Sequence, residues 1–421
     1  MKIALVHDYL KEYGGAERVL QTLHEIYPQA PIYTAFCQRH SAAGQVFAQA
    51  KIKESWLAPL IKHGHLYSPL RFLTPLIWKS FDLSGYDLVI TSASWYITRG
   101  FRVGPKTKVI CYCHTPPRYL YGYPTSIEWQ RYWPVRIYAT VVNHFLRLYD
   151  YRSAQEVDEF LVNSKNVAQR VKKFYRRDST VIYPPVEVAK ISQATRGLKP
   201  KNYFERSEKQ GSATKGAGSY SSASEKQGSA TKGAGSYYLL VSRVVGAKGI
   251  ELAVEAAQKA KVSLKIAGEP AGLSWLGKDL SRLKNKWVKF LGRVSDQKLY
   301  QYYGECKAFL ALAEDEDFGI TPVEAMAAGR PVIAFRGGGY LESVVAGKTG
   351  EFFEQLEANS LAKILKSFNP KKYQPEVCRR QAQKFSKERF IKEIKEFIST
   401  AARRTGRNFD HGVAVPRNFG G

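Results

Sequence analysis

The chain has 421 residues, of which 44% are hydrophobic, and 64 Lys and Arg outnumber 37 Asp and Glu to give a formal net charge of +27. That length predicts two or three domains with large cores, and the apolar share is ordinary for a globular protein. Five cysteines, an odd and sparse set, do not suggest a disulfide framework and fit a reducing compartment.

The basic excess calls for an anionic partner: nucleic acid, an anionic membrane face or a phosphorylated substrate. Composition does not choose among them. His7 and Asp8 interrupt the N-terminal apolar run MKIALVHDYL, which is too short and polar for a signal peptide. No stretch approaches the ~18 consecutive apolar residues of a membrane span. A cytoplasmic protein is expected, one still free to touch a membrane surface.

In chain order, KIALVH opens as a buried strand. Gly14-Gly15 then leads into a helical pattern, AERVLQTLHEIY. Residues 56–81 and 129–152 mix Trp, Leu and Pro with basic residues, which suits either core helices or contact with an anionic bilayer. DLVIT, KVICYC, EFLVN and TVIY follow as further strands. Cys111 and Cys113 alternate, so they share a strand face. His114 follows them, but no second ligand pair stands nearby to complete a zinc site. His7, Asp8, Ser92, His114, Asn163 and Ser164 fall at strand ends and are expected to line one crevice.

The pattern then fails. SEKQGSATKGAGSY occurs at 207–220 and again at 224–237, too polar to bury a core or build a solenoid. It reads as a flexible linker. A second series follows: YLLVS, VSLKIAG, WVKFLG, AFLAL, PVIAF and EFF. Short apolar runs alternating with helices predict parallel strands covered on both faces, an α/β doubly wound sheet in each half. Phe385, Phe390, Ile394, Phe397 and Ile398 have helical period near the end, among Lys and Arg. The expected division is a first domain over 1–187, a linker over 188–236, a second domain over 237–384, a helix over 385–404 and a tail over 405–421.

Residues 314–332, EDEDFGITPVEAMAAGRPV, place four acids before a helix start in a basic protein. On local pattern Thr321 is an N-cap, Pro322 stands at N1 and Glu324 at N3 completes a capping box. Asp315 and Asp317 could instead hold a divalent cation, or the acids could complement the helix dipole. A functional alternative takes the segment whole. A strand leads through Gly319 to a helix N-terminus, which suits a phosphate, while carboxylates accept hydrogen bonds from hydroxyls. A nucleotide sugar combines both groups.

Glu316 and Glu324, within EDFGITPVEAMAAGRPVIA, resemble the Glu–seven–Glu signature of family four retaining glycosyltransferases. HDYLKEYGGAERVL, YCHTPPRYLY, FLVNSKNVAQRVKKFY, YYLLVSRVVGAKGIELAVEA, FLGRVSD and GGGYLESVVAGKTGEFF resemble further family segments, in the family's order. The likeness is greatest to the bacterial O-antigen mannosyltransferase branch. Where that family carries Trp-Asp after RY, this chain has Leu120-Tyr121-Gly122.

The resemblance implies a GT-B fold: two Rossmann-like domains facing a cleft, with a C-terminal helix returning to the first. It implies that Arg243 and Lys248 neutralise the donor diphosphate and that Glu324 accepts from ribose hydroxyls. Glu316 and His114 would lie near the transferred sugar. Gly14 and Gly15 would approach the donor phosphate or the acceptor. Arg293 and Val294 would border the base, and Phe318, Gly319, Ile320 and Thr321 would offer backbone N–H groups. His114, Glu316, Arg243 and Lys248 are thus the candidate catalytic set. No metal and no cofactor are expected beyond the donor.

The implied reaction moves a sugar, mannose from GDP-mannose as first expectation, to a lipid-linked oligosaccharide or polysaccharide. A UDP-sugar donor carrying glucose, galactose or GlcNAc is an alternative, as is a metal-dependent transferase using Asp315 and Asp317. A nucleic-acid-binding protein would interleave aromatic and basic residues on a sheet face, and none of the strand runs does so. Intact Glu316, Glu324, Arg243 and Lys248 argue against an inactive homologue.

Overall fold

The computed structural model describes residues 1–63, 66–123, 125, 132–198, 237–243, 248–269, 283 and 285–403. The apolar runs become two parallel sheets. The first comprises β1 (Ile3–His7), β2 (Ile32–Thr34), β3 (Ile52–Glu54), β4 (Leu88–Ala93), β5 (Lys108–Cys113), β6 (Glu159–Val162) and β7 (Thr180–Val181), in the order β3-β2-β1-β4-β5-β6-β7. The second comprises β8 (Tyr238–Val241), β9 (Leu264–Ala267), β10 (Val288–Gly292), β11 (Ala308–Ala311), β12 (Val332–Phe335) and β13 (Gly350–Phe353), in the order β10-β9-β8-β11-β12-β13.

Strand order reverses between β1 and β4 in one sheet and between β8 and β11 in the other. Crevices form at such reversals, outside the carboxyl ends of the strands. Register puts functional side chains there: His7 pairs with Ser92 as β1 and β4 run side by side. The short β2 and β3 were absent from the sequence reading. Three residues are too few to make an apolar run, and β2 is held by its register against β1.

Two sequence expectations need correction. Residues 188–236 are not all linker: Val188–Thr195 is a helix, and its Val188 and Ile191 are buried in the second domain's core with Tyr303 and Met326. Ser192 fastens it by donating to the Ala327 carbonyl at 2.9 Å. The duplicated unit within 199–236 and the 405–421 tail lie outside the described residues.

The second correction concerns the helix after the acidic loop, which spans Ile320–Ala327 with Gly319 as its N-cap. Thr321 and Pro322 are therefore at N2 and N3, where a missing N–H still costs nothing. Glu324 falls in the second turn and cannot complete a capping box. The cause is Gly319, at φ +86°, where an added Cβ would meet Tyr340 Cε1 at 2.7 Å. A left-handed turn that only glycine fits starts the helix two residues early.

The last helix, Lys387–Arg403, returns to the first domain. Phe390, Ile394 and Ile398 are buried there beside Leu20, Leu23 and Tyr112. Phe385, two residues before that helix, stays in the second domain's core, so the segment ties both domains. Phe390 is fully buried, its ring 5.9 Å from that of Tyr112. Phe390→Ala is expected to lower the unfolding free energy by about 3–5 kcal/mol. Urea denaturation followed by tryptophan fluorescence checks it; a shift below about 1 kcal/mol would mean the helix adds little to the first domain.

Candidate functional site

A cleft of about 1360 Å³ runs between the two sheets. Its first-domain wall is built from strand ends. His114 follows β5, and its Nε2 is 2.8 Å from Ser92 Oγ. Ser92 Oγ is in turn 3.1 Å from His7 Nδ1, and His7 Nε2 faces Glu17 Oε1 at 3.5 Å. Burial, followed by the neighbouring His7, lowers the His114 pKa to about 4. Asp8, beside them, accepts from the Ser94 hydroxyl at 2.9 Å, the Trp95 N–H at 2.6 Å and the Thr98 hydroxyl. Asn163 donates to the His114 carbonyl at 2.9 Å and fixes the turn after β5.

Gly14 caps the helix Gly15–Ile26, its N–H donating to Glu17 Oε2 at 2.8 Å. At Gly15 an added Cβ would lie 3.1 Å from Ile320 Cδ1, so this helix end comes close to the second domain. One turn on, the Arg18 guanidinium pairs with Glu324, which is only 2% exposed and also accepts from Tyr303 Oη at 2.8 Å. The Glu324 carboxylate lifts Arg18 above its ordinary range.

On the second wall, Lys248 Nζ donates to Glu316 Oε2 at 2.6 Å, and the Tyr340 hydroxyl donates to the same oxygen at 3.3 Å. Burial alone would raise the Glu316 pKa, but Lys248, with help from Arg118, outweighs it and holds the group below the usual carboxylate range. Arg243, more than half exposed, reaches across to Glu12 at 3.1 Å. Such a rim pair contributes little and yields to a stronger anion. The helix N-terminus at Gly319 and Ile320 opens on the same space.

The acidic loop carries a second set of contacts that sequence reasoning missed. Arg170 pairs with both Asp315 and Asp317, and Arg118 donates to Asp317 Oδ1 at 2.8 Å. Ser164 Oγ donates to the Asp317 carbonyl at 2.6 Å, and Asn166 Nδ2 to the Glu316 carbonyl at 3.1 Å. Glu342 reaches over to accept the Lys165 and Asn166 N–H groups at 2.8 and 3.0 Å, at the N-terminus of the helix Lys165–Tyr175. A carboxylate from one domain thus complements a helix dipole of the other. Asp315 and Asp317 act in domain docking, beyond the loop and dipole role read from the sequence.

His114, Gly14, Gly15, Arg243, Lys248, Glu316, Phe318, Gly319, Ile320 and Thr321 all line the cleft. Phe318 contributes backbone, because its ring is buried between Tyr183 and Phe385. Glu324 lies outside that lining, beside Arg18, and Arg293 and Val294 sit beyond the edge strand β10, off the cleft. Tyr121, in the departed RY segment, donates to the buried Asp150 at 2.6 Å and stacks on Phe174, a packing role. Among the described residues, no group of three or more His, Cys, Asp or Glu is placed to hold a metal ion.

Comparison with known proteins agrees with this geometry. Residues 13–190 match the glycosyltransferase family 4 model, and residues 222–385 match that of glycosyl transferases group 1. The chain carries the two domains of a GT-B glycosyltransferase. It is 26% identical over 351 residues to alpha-1,3/1,6-mannosyltransferase ALG2 of Dictyostelium discoideum, covering 74% of this chain and 75% of the relative. That likeness points to mannosyltransferases without singling out the O-antigen branch. Among solved structures, Anabaena HepE with UDP and glucose superposes at a TM-score of 0.61 and 18% identity, over 95% of this chain and all of that one. Sucrose-phosphate synthase of Thermosynechococcus elongatus superposes at 0.63 and 17%, over 96% and 100%.

His114 gives the glycosyltransferase a measurable acid response. The ordinary histidine value is 6.5 and the folded value about 4, so folding favours the neutral ring. That stability is complete above the unfolded pKa and is lost as pH falls from about 6.5 to about 4, a change of about 3 kcal/mol. His114→Asn is expected to flatten this limb in urea midpoints taken across that range. Parallel wild-type and variant curves would contradict it.

Proposed function

We propose that this glycosyltransferase moves mannose from GDP-mannose to a lipid-linked oligosaccharide or polysaccharide, with retention of anomeric configuration and without a metal. The observation that carries the proposal is a single cleft holding Lys248, Glu316, Arg243 and a helix N-terminus opposite His114. Breaking the bond from sugar to diphosphate leaves negative charge on the departing group. Fixed cations and helix N–H groups stabilise that charge where it develops. Lys248 has three donor hydrogens, so it can serve Glu316 and a phosphate together. Glu316, kept ionised, accepts from sugar hydroxyls, and neutral His114 stands opposite. The leaving phosphate takes the acceptor proton on the same face, so a glycosidase-like carboxylate dyad is not needed.

The mannose assignment draws on the ALG2 relative. A second reading, a UDP-sugar donor, is favoured by HepE, which was solved with UDP and glucose. Asp315 and Asp317, already engaged by Arg118 and Arg170, support metal independence through their existing partners. Among the described residues no helix is long and apolar enough to cross a membrane. The proposed setting is the cytoplasmic face of a membrane, with peripheral contact, and no nucleic-acid partner.

Thermal shift with GDP-mannose, UDP-glucose, UDP-GlcNAc and the bare nucleotides is expected to show stabilisation by the GDP pair. Stabilisation by UDP compounds alone would select the second reading, and none at all would remove the donor site. Lys248→Ala is expected to lower kcat about 10²–10³-fold. Wild-type turnover is expected to survive EDTA.

A further inference from the structure

The loop at 312–319 joins β11 to the helix Ile320–Ala327, and four of its residues in a row, Glu314 to Asp317, are acids. Neighbouring carboxylates repel one another unless cations stand among them. The structure sorts them by side. Asp315 and Asp317 face the first domain, each paired with both Arg118 and Arg170. Glu316, between them, turns the other way, to Lys248 and Tyr340 of its own domain.

The loop backbone is gripped from the first domain as well. The successive carbonyls of Asp315, Glu316 and Asp317 accept from Arg118 Nη2, from Asn166 Nδ2 at 3.1 Å and from Ser164 Oγ at 2.6 Å. The second domain supplies a floor beneath them. The Gly339 N–H donates to the Glu316 carbonyl at 2.9 Å, and a Cβ added at Gly338 would lie 2.3 Å from the same oxygen. Arg170 is itself fixed: it is 4% exposed, packs at 4.4 Å on the Tyr123 ring and donates to Thr115 Oγ1 at 3.0 Å. Thr115 follows His114 in the chain, so one rigid guanidinium spaces the His114 turn from the Glu316 loop.

We propose that Arg118 and Arg170 are positioning residues for Glu316. Acting from the first domain through Asp315 and Asp317, they aim its carboxylate at the donor sugar. Without them, three adjacent negative charges would face Lys248 alone, and mutual repulsion would spread the loop. The sugar end of the donor site is then built by both domains, while Arg243, Lys248 and the helix N-terminus, which serve the phosphates, belong to the second. This rests on the transferase reading, in which Glu316 accepts from sugar hydroxyls.

The test is calorimetric titration of the full chain with GDP-mannose and with GDP; UDP-glucose and UDP replace them if thermal shift selects the UDP reading. The ratio of the two affinities isolates the sugar contact. Glu316→Gln is expected to lower the relative affinity for the sugar nucleotide about tenfold, as for a lost hydrogen bond to a charged group. Arg170→Gln and Asp317→Asn should lower it by a similar factor and leave GDP affinity unchanged, which also shows an intact fold. Asp317 is partly exposed, so Asp317→Asn carries the test should Arg170→Gln fail to fold. Adding either change to Glu316→Gln should lower the ratio no further, because both act through one carboxylate. The proposal is overturned if the ratio keeps its wild-type value in both variants. It is equally overturned if they weaken GDP and GDP-mannose alike, as loosened domain docking would, or if their effects multiply with that of Glu316→Gln. A wild-type ratio in Glu316→Gln itself would remove the donor-sugar reading, and the proposal with it.

Discussion

Cations gathered in a partly dry cleft hold together only if carboxylates stand among them, and this chain meets that constraint mainly across its domain boundary. Arg18 pairs with Glu324, Arg243 with Glu12, and Arg118 and Arg170 with Asp315 and Asp317. Each pair takes one partner from each domain. Mutual attraction between the walls sets how the two half-sites face each other. The apolar tie at Phe385 and Phe390 fixes the hinge side, while the charges fix the mouth.

The pairs differ in strength for physical reasons. Removing one partner of a buried pair strands a charge and costs several kcal/mol, whereas exposed pairs contribute about 0–1 kcal/mol. Glu324 is nearly sealed, and Arg170 is almost as buried, so these contacts are structural anchors. Arg243 and Glu12 lie open to solvent and exchange partners at little cost. A basic protein can therefore keep its cleft assembled through one set of ion pairs and leave another set available to an anionic substrate.

The sheets were legible because buried parallel strands are mostly apolar runs, and the longer ones read so even with Lys265 and Lys289 inside two of them. The candidate residues at strand ends followed from the same topology. What escaped was of two kinds. The helix start depended on Gly319 turning left-handed, a backbone choice hidden inside a sequence that also fits a Thr321 cap. The partners of Glu324 and of the Asp315–Asp317 pair lie 306 and about 145–199 residues away along the chain. Local pattern carries no trace of such a partner, so a capping role looked sufficient. Arg118 and Arg170 stood in family-like segments, but their charge alone gave no hint of which wall they would join.

A chain of polar groups runs behind His114, through Ser92 and His7 to Glu17. Glu17 stays ionised: burial opposes this, but its hydrogen bond and attraction to His7 prevail. Glu17 Oε2 already accepts the Gly14 N–H, so Oε1 favours a proton on the facing His7 Nε2. Ser92 Oγ lies between His7 Nδ1 and His114 Nε2, so the two rings share one hydroxyl. Burial, and after it the neighbouring His7, disfavour a second proton on His114. A neutral imidazole adds no positive charge to the first-domain wall of the cleft. Lys248 and Arg243 stand on the opposite wall, and their separation from His114 follows from which strand ends each sheet brings to the cleft.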